Sequence, residues 1–217
     1  MNIEQARFNM IEQQIRPWNV LDADVLHLLS VVKREDFVPL AHKGLAFVDM
    51  EIPLGKGQFM LAPRLEARMV QDIAVHKHEK VLEIGTGSGY MTALLAHRAQ
   101  SVLSLEIDPD QAATARSSLQ KSGVRNAEVR VADGATAAPV EGPFDVIVIG
   151  GSVAEVPPSL LAQLKVGGRL IAIVGDDPVM RATLIQRTGD VNYVSTQPWD
   201  TMAPRLLNFP ELPKFSF

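Results

Sequence analysis

The stretch Val81-Leu82-Glu83-Ile84-Gly85-Thr86-Gly87-Ser88-Gly89-Tyr90 constrains the fold of this chain more than any other part of it. A short apolar run feeds directly into three closely spaced glycines, and helix-spaced apolar residues follow over 91–99. A run this short, bounded by glycine, reads as a buried strand, and the tight turn into a helix opens a strand–helix–strand unit. The theme then repeats. Strands are expected over residues 101–107, 127–131, 144–149 and 169–174. Helices are expected over 109–122 and 158–164, the second stopped by Gly167-Gly168. Strands alternating with helices imply a parallel sheet covered on both faces. The expected fold is therefore α/β, a doubly wound, mostly parallel sheet. Two more strands, over 183–187 and 193–196, are expected to form an antiparallel C-terminal edge.

The residues ahead of this core read differently. Ile3, Ala6, Met10, Ile11 and Ile15 fall near a helical period, interrupted at Arg16-Pro17. Asp22 can cap a second helix carrying Leu26, Leu29 and Val32, which ends at Phe37-Val38-Pro39. Residues 44–63 hold Gly44, Pro53, Gly55, Gly57 and Pro63, a loop-rich connector with one short strand, and 64–75 return to helical spacing. One domain is expected over 1–217, with an N-terminal helical segment over 1–78 and the core with its C-terminal strands over 79–217.

Composition removes several classes of function. The net charge is −4, which argues against binding nucleic acid through bulk charge. Cysteine is absent, so disulfides, thiol nucleophiles and thiolate zinc sites are excluded. The N-terminus, with Glu4, Arg7 and Glu12, lacks the apolar stretch of a signal peptide, and no apolar run is long enough to span a membrane. A cytoplasmic location is the expectation. His76 and His78 alone make no metal site. Ser88 lacks the flanking glycines of a hydrolase elbow, since Thr86 and Tyr90 stand there.

The glycine loop points to a nucleotide-like ligand. Glycines let the backbone turn tightly and let a ligand approach it. Glu106 stands near the end of the second core strand, where a carboxylate can accept from ribose hydroxyls. Asp133-Gly134 follows the third strand, placed to accept from an adenine amino group, and Ile149-Gly150-Gly151 ends the fourth at the same edge. Two ligands compete. The dinucleotide fingerprint G-x-G-x-x-G would need a small residue at position 90, which is Tyr90. The spacing Gly85, Gly87, Gly89, with Glu83 ahead of it, resembles instead the class I methyltransferases, which hold S-adenosyl-L-methionine there.

The resemblance sharpens outward from the loop. The stretch Leu82–Tyr90 resembles the cofactor loop of the protein-L-isoaspartate O-methyltransferases. Val32-Lys33-Arg34-Glu35-Asp36-Phe37-Val38-Pro39 resembles that family's N-terminal element. Ile52-Pro53-Leu54-Gly55-Lys56-Gly57-Gln58, with Ala62-Pro63 and Ala67-Arg68-Met69, resembles its substrate-side segment. Leu164-Lys165-Val166-Gly167-Gly168-Arg169-Leu170 resembles the entry to its fifth strand. The resemblance implies a Rossmann-like methyltransferase sheet, S-adenosyl-L-methionine as cofactor with S-adenosyl-L-homocysteine as product, and no metal. It implies methylation of the carboxylate of L-isoaspartyl residues in damaged proteins, an ester that collapses to a succinimide and so allows repair. The partner implied is a protein or peptide bearing isoaspartyl residues, with no nucleic acid or membrane, and the chain is expected as a monomer or weak dimer. A carboxylate is already nucleophilic at neutral pH, so placement matters more than a strong base. Gly85, Thr86, Gly87 and Ser88 are expected at the methionine, Glu106 with Ile107 at the ribose, and Asp133 with Gly134 at the adenine. Met60, Glu83 and Gly150 complete the cofactor set, and Gln58 and Leu61 are expected at the methyl-transfer centre as its catalytic residues.

Two departures qualify the resemblance. After Gly-Gln the family places a Thr, an aliphatic residue and a Ser, whereas this chain has Phe59, Met60 and Leu61. A charged acceptor loses two hydroxyl partners there, each worth about 1.5–3 kcal/mol. Phe59 is expected on the substrate side. In the tail, Trp199 and Pro204-Arg205-Leu206 stand where the family has an aromatic-Val-Pro-Leu element, and Arg205 is either a replacement for a lost carboxylate anchor or a solvated surface arginine. The alternatives are a methyltransferase of the same fold with another acceptor, or a cofactor-binding protein without isoaspartyl activity. Glu66 is expected either to face the cofactor or to be an exposed helix charge.

Overall fold

The apolar runs of the sequence become the centre of a seven-stranded sheet in the computed structural model, which describes residues 2–137, 139 and 141–211. A small antiparallel hairpin comes first, β1 (Ile52–Gly55) with β2 (Gln58–Met60). The sheet strands are β3 (Lys80–Ile84), β4 (Ser101–Glu106), β5 (Ala127–Val131), β6 (Phe144–Val153), β7 (Leu164–Asp176), β8 (Val179–Arg187) and β9 (Tyr193–Thr201). Their order is β5-β4-β3-β6-β7-β8-β9, with β8 and β9 forming the antiparallel edge. The chain steps outward from β3 to β5, then returns to the other side of β3 as β6. Open α/β sheets bind ligands at such a reversal, beyond the carboxyl ends of the strands.

Side chains alternate across the strands and divide the interior into two layers. Val81, Val102, Val146, Val148 and Ile171 face the helices α3 (Pro63–Ile73), α4 (Tyr90–Arg98) and α5 (Pro109–Lys121), behind which the N-terminal α1 (Ile3–Asn9) and α2 (Ala23–Val31) pack. Leu82, Ile84, Leu103, Ile147 and Leu170 face the other way, toward Leu160 of the short α6 (Pro158–Leu161) and Phe209 of the C-terminal segment. Asp22 caps α2 by accepting from the Asp24 and Val25 amides, and Asp108 caps α5 in the same way, followed by Pro109 at the first turn.

Several local expectations change. The first helix widens into a π-helical turn over Met10–Ile15 before Pro17 interrupts it. Residues 44–63 hold two paired strands rather than one. The helix after Pro157 stops at Leu161, and Gly167-Gly168 lie inside β7 instead of ending that helix. Leu164 already pairs with Phe144, and the register then shifts before Arg169 meets Val146. Gly168 permits that irregularity, since a Cβ there would lie 2.9 Å from the carbonyl oxygens of both Asp145 and Lys165.

Candidate active site

The loop after β3 is shaped by its glycines. Gly85 and Gly87 hold φ values of 86° and 52°, a region that L side chains avoid. At the reversal point, a Cβ on Gly150 of β6 would lie 2.7 Å from the Gly85 carbonyl oxygen, so only glycine lets the ends of β3 and β6 approach this closely. The amides of Gly85 and Thr86 donate to the Leu105 carbonyl, at 2.9 and 3.4 Å, and the Gly87 amide donates to Glu106 Oε2 at 2.8 Å. Three loop amides are thus bonded within the protein rather than aimed outward.

One pocket opens beyond the carboxyl ends of β3, β4, β5 and β6. Its wall includes Gln58 and Phe59 from the hairpin, Gly85 and Gly87 from the loop, and Glu106 and Ile107 from the end of β4. Asp133 and Gly134 line it from the turn after β5, and Gly150 from β6. These nine expected residues, drawn from five parts of the chain, meet in one place. The pocket presents two carboxylates and, among the described residues, no Lys, Arg or His on its wall. Glu106 is nearly buried and also accepts from the Asp108 amide at 3.0 Å. Asp133 accepts from the Ala135 amide at 3.0 Å and from Asn208 Nδ2 at 2.8 Å.

Other expected site residues stand elsewhere. Glu83 lies on the face of β3 opposite Leu82 and Ile84, completely buried, and accepts from Thr92 Oγ1 of α4 at 2.5 Å. It supports the sheet behind the loop instead of lining the pocket. Burial pushes its carboxyl up to about 8, and the nearby Glu66 and Glu106 carboxylates add to the rise. Thr86 turns inward to Ser104, Oγ1 to Oγ 2.5 Å, and Ser88 Oγ accepts from the Tyr90 amide at 3.3 Å, so both side chains face the interior. Met60 and Leu61 are also buried, Met60 opposite Ile52 across the hairpin, and both pack into the N-terminal core rather than the pocket wall. Arg205 stands off the pocket wall. It pairs with Asp176 and donates to the Gly175 carbonyl at 2.9 Å, while its neighbour Leu206 takes the pocket side.

Glu66 is neither on the pocket wall nor exposed. It is buried in an ion pair with Arg34, the arginine of the N-terminal element. Burial pushes its carboxyl up to about 7 against the opposing pull of Arg34. Arg34 also donates to the Leu61 carbonyl at 2.6 Å and lies 5.2 Å from the ring centre of Tyr90, the first residue of α4. Sequence reasoning missed this anchor because it spans three distant segments. It missed Leu207 and Phe209 on the pocket wall, and placed Leu206 only in the tail element, because the return of the chain after β9 is set by long-range pairing. Gln111 had a usable signal, since the Asp108 cap fixes it in the first turn of α5 beside Glu106.

Comparison with known proteins agrees with this architecture. Residues 5–202 match the model of the family described as protein-L-isoaspartate(D-aspartate) O-methyltransferase. A protein-L-isoaspartate O-methyltransferase of Syntrophobacter fumaroxidans is 41% identical over 186 residues, covering 86% of this chain and 87% of that protein. One from Methanoculleus marisnigri is 40% identical over 191 residues, covering 88% and 87%. Among solved structures, the Plasmodium falciparum protein described as a protein-L-isoaspartate O-methyltransferase, in complex with S-adenosyl-L-homocysteine, superposes with a TM-score of 0.78 at 19% identity, over 94% of this chain and 99% of that one. That likeness shows the shared fold. With a seven-stranded sheet reversed at β3 and relatives at this identity over most of its length, the chain belongs to the protein-L-isoaspartate(D-aspartate) O-methyltransferase family.

Proposed function

We propose that this protein binds S-adenosyl-L-methionine in the pocket beyond β3–β6 and methylates the carboxylate of L-isoaspartyl residues in damaged proteins. The carrying observation is the chemistry of the pocket wall. It joins two carboxylates, Glu106 and Asp133, to a glycine loop whose first three amides are already bonded, and it holds no cation among the described residues. A pyrophosphate needs outward amides or cations and is repelled by carboxylates. Ribose hydroxyls and an adenine amino group need acceptors, which Glu106 and Asp133 supply.

When bound, S-adenosyl-L-methionine supplies an electrophilic methyl group on a positively charged sulfur. The chain's part is placement. Gly85 and Gly87 make the turn that receives the methionine end, and Gly150 lets the ends of β3 and β6 close together beneath it. Glu106 holds the ribose, and Asp133 the adenine. Gln58, on the hairpin wall, offers an amide to the acceptor carboxylate, while Leu54, Phe59 and Leu206 exclude water around it. The acceptor is ionised at neutral pH, so no side chain has to take a proton from it. The site works within one domain, in the cytoplasm, on protein or peptide acceptors. No helix of the described residues is long and apolar enough to cross a membrane.

The test is transfer of tritiated methyl from S-adenosyl-L-methionine to an isoaspartyl peptide, with the matching aspartyl peptide as control and base-labile methanol as readout. Turnover on the isoaspartyl peptide alone is expected. Cofactor binding without turnover would favour a second reading, a different and less polar acceptor. Phe59 supports that reading, because it puts an aromatic ring, 40% exposed, on the pocket wall where the family carries a hydroxyl. Absence of cofactor binding would overturn both.

A further inference from the structure

The β1–β2 hairpin is rooted in the core and free at its tip. Ile52 and Met60, paired across its base, are buried, whereas Gly55, Lys56 and Gly57 at the tip are exposed. Between base and tip, Leu54, Gln58 and Phe59 line the pocket, and Leu54 Cδ1 lies 3.2 Å from where a Cβ on Gly87 would stand. Glu106, Ile107 and Gln111 line the same pocket from the junction of β4 with α5. The hairpin tip meets that junction. Lys56 Nζ lies 2.6 Å from Asp108 Oδ2 and 2.9 Å from Asp110 Oδ2, at the start of α5. Among the described residues, no other ion pair or side-chain hydrogen bond ties residues 53–59 to the rest of the chain.

A lysine is an unusual choice for this turn. Gly55 pairs with Gln58, so Lys56 and Gly57 are the two central residues, with φ of 52° and 74°. Positive φ at both positions favours Asn or Gly at the first, because a longer side chain is strained there. The ammonium group accounts for the exception. We infer that Lys56 is a positioning residue: it clamps the hairpin tip to the start of α5, and release of that clamp gates the pocket. The inference rests on the proposed adenosylmethionine site. The clamp reaches the site through Asp108, whose amide donates to Glu106 Oε1 at 3.0 Å, while Glu106 Oε2 accepts from the Gly87 amide at 2.8 Å. One ion pair thus ties the hairpin to the turn that holds the ribose carboxylate and the glycine loop. With the clamp closed, the hairpin and the β4–α5 junction keep a fixed separation, and a ligand between them leaves when the tip lifts about its buried base. The Lys56 side chain is 61% exposed, so the pair sits in water and is screened by salt. Such a clamp biases the hairpin toward closure yet opens readily, and it opens more often as ionic strength rises.

The test measures the dissociation rate of S-adenosyl-L-homocysteine from the immobilised protein by surface plasmon resonance, between about 0.01 M and about 1 M ionic strength, a range over which the screening length falls from about 30 Å to about 3 Å. The proteins are the wild type, Lys56→Met, Lys56→Arg and Asp110→Asn, each also followed by thermal unfolding. The wild-type rate is expected to rise with salt. At low salt Lys56→Met should release the ligand about threefold faster and respond little to salt, Asp110→Asn should move part of the way, and Lys56→Arg should stay near the wild type. The unfolding midpoint should hold in all four, since the pair is exposed. A Lys56→Met protein with the wild-type rate and salt response would overturn the inference. So would faster release that arginine does not rescue and that comes with a lowered unfolding midpoint, which would leave Lys56 a purely structural residue. A wild type that binds no S-adenosyl-L-homocysteine would instead remove the cofactor site itself, and the gate with it.

Discussion

Arg34 and Glu66 form an ion pair with side-chain exposures of 0% and 4%, and the same guanidinium holds the Leu61 carbonyl at 2.6 Å. The pair thereby ties the N-terminal segment to α3 and to the end of the β1–β2 hairpin, with the Tyr90 ring beside it. Removing one partner strands a buried charge, which typically costs about 3–5 kcal/mol. Arg34→Met is expected to lower the unfolding free energy in urea by that amount. Arg34→Met combined with Glu66→Leu should recover much of the loss, because the stranded carboxylate is gone. A single substitution costing under about 1 kcal/mol would show that the pair does not hold the segment.

Glu83 sets a pH dependence of stability. Its carboxyl is raised from the ordinary carboxylate range to about 8 by burial, so the folded state keeps a proton that the unfolded chain releases near pH 4.5. Stability from this group is complete below that lower value and is lost as pH rises through about 8. Unfolding free energy is expected to decline from about pH 5 to pH 8 by an amount on the order of a few kcal/mol. Glu83→Gln, which cannot titrate, should flatten that decline. Equal slopes in the two proteins would show that Glu83 does not carry the proton.

The parts of this molecule legible in the sequence are those with local causes. The strand–glycine–helix run, the alternation that follows it and the strand-end positions of Glu106, Asp133 and Gly150 depend on neighbours a few residues away, and all three residues reach one pocket. Face assignments were harder. Glu83 precedes the loop by two residues, but a strand's alternation turns it behind the sheet, where motif spacing cannot see it. Thr86 and Ser88 turn inward because Ser104 and the Tyr90 amide offer them partners. Arg205, Asn208 and Phe209 depend on how the chain returns after two antiparallel strands, a long-range pairing that no local pattern encodes.

Gly150 tests the reversal point. A methyl group there would sit 2.7 Å from the Gly85 carbonyl oxygen and 3.2 Å from that of Ile84. Both obstacles are backbone, so neither can rotate away, and the ends of β3 and β6 must separate. Gly150→Ala is expected to weaken S-adenosyl-L-homocysteine binding by about tenfold or more, equivalent to at least about 1.4 kcal/mol. Calorimetry checks this. An unchanged affinity would mean that the close approach of the ends of β3 and β6 does not shape the ligand's site.

The hairpin offers the sharpest contrast, because its two departures from the family pattern occupy different surroundings. Phe59 is 40% exposed on the pocket wall, whereas Leu61 is 4% exposed in the apolar core. Phe59→Thr should change stability by no more than about 0.5 kcal/mol. It returns a hydroxyl to the pocket, and a hydrogen bond to a carboxylate is worth about 1.5–3 kcal/mol, so the KM for an isoaspartyl peptide should fall by about tenfold or more. Leu61→Ser should do the reverse, costing about 2–4 kcal/mol of stability through the cavity and the buried hydroxyl, with KM unchanged. A fall in KM with Leu61→Ser would place that side chain at the acceptor after all. Loss of turnover with Phe59→Thr would make the aromatic ring itself part of acceptor recognition, and would move the acceptor away from a bare carboxylate toward a substrate with an apolar surface of its own.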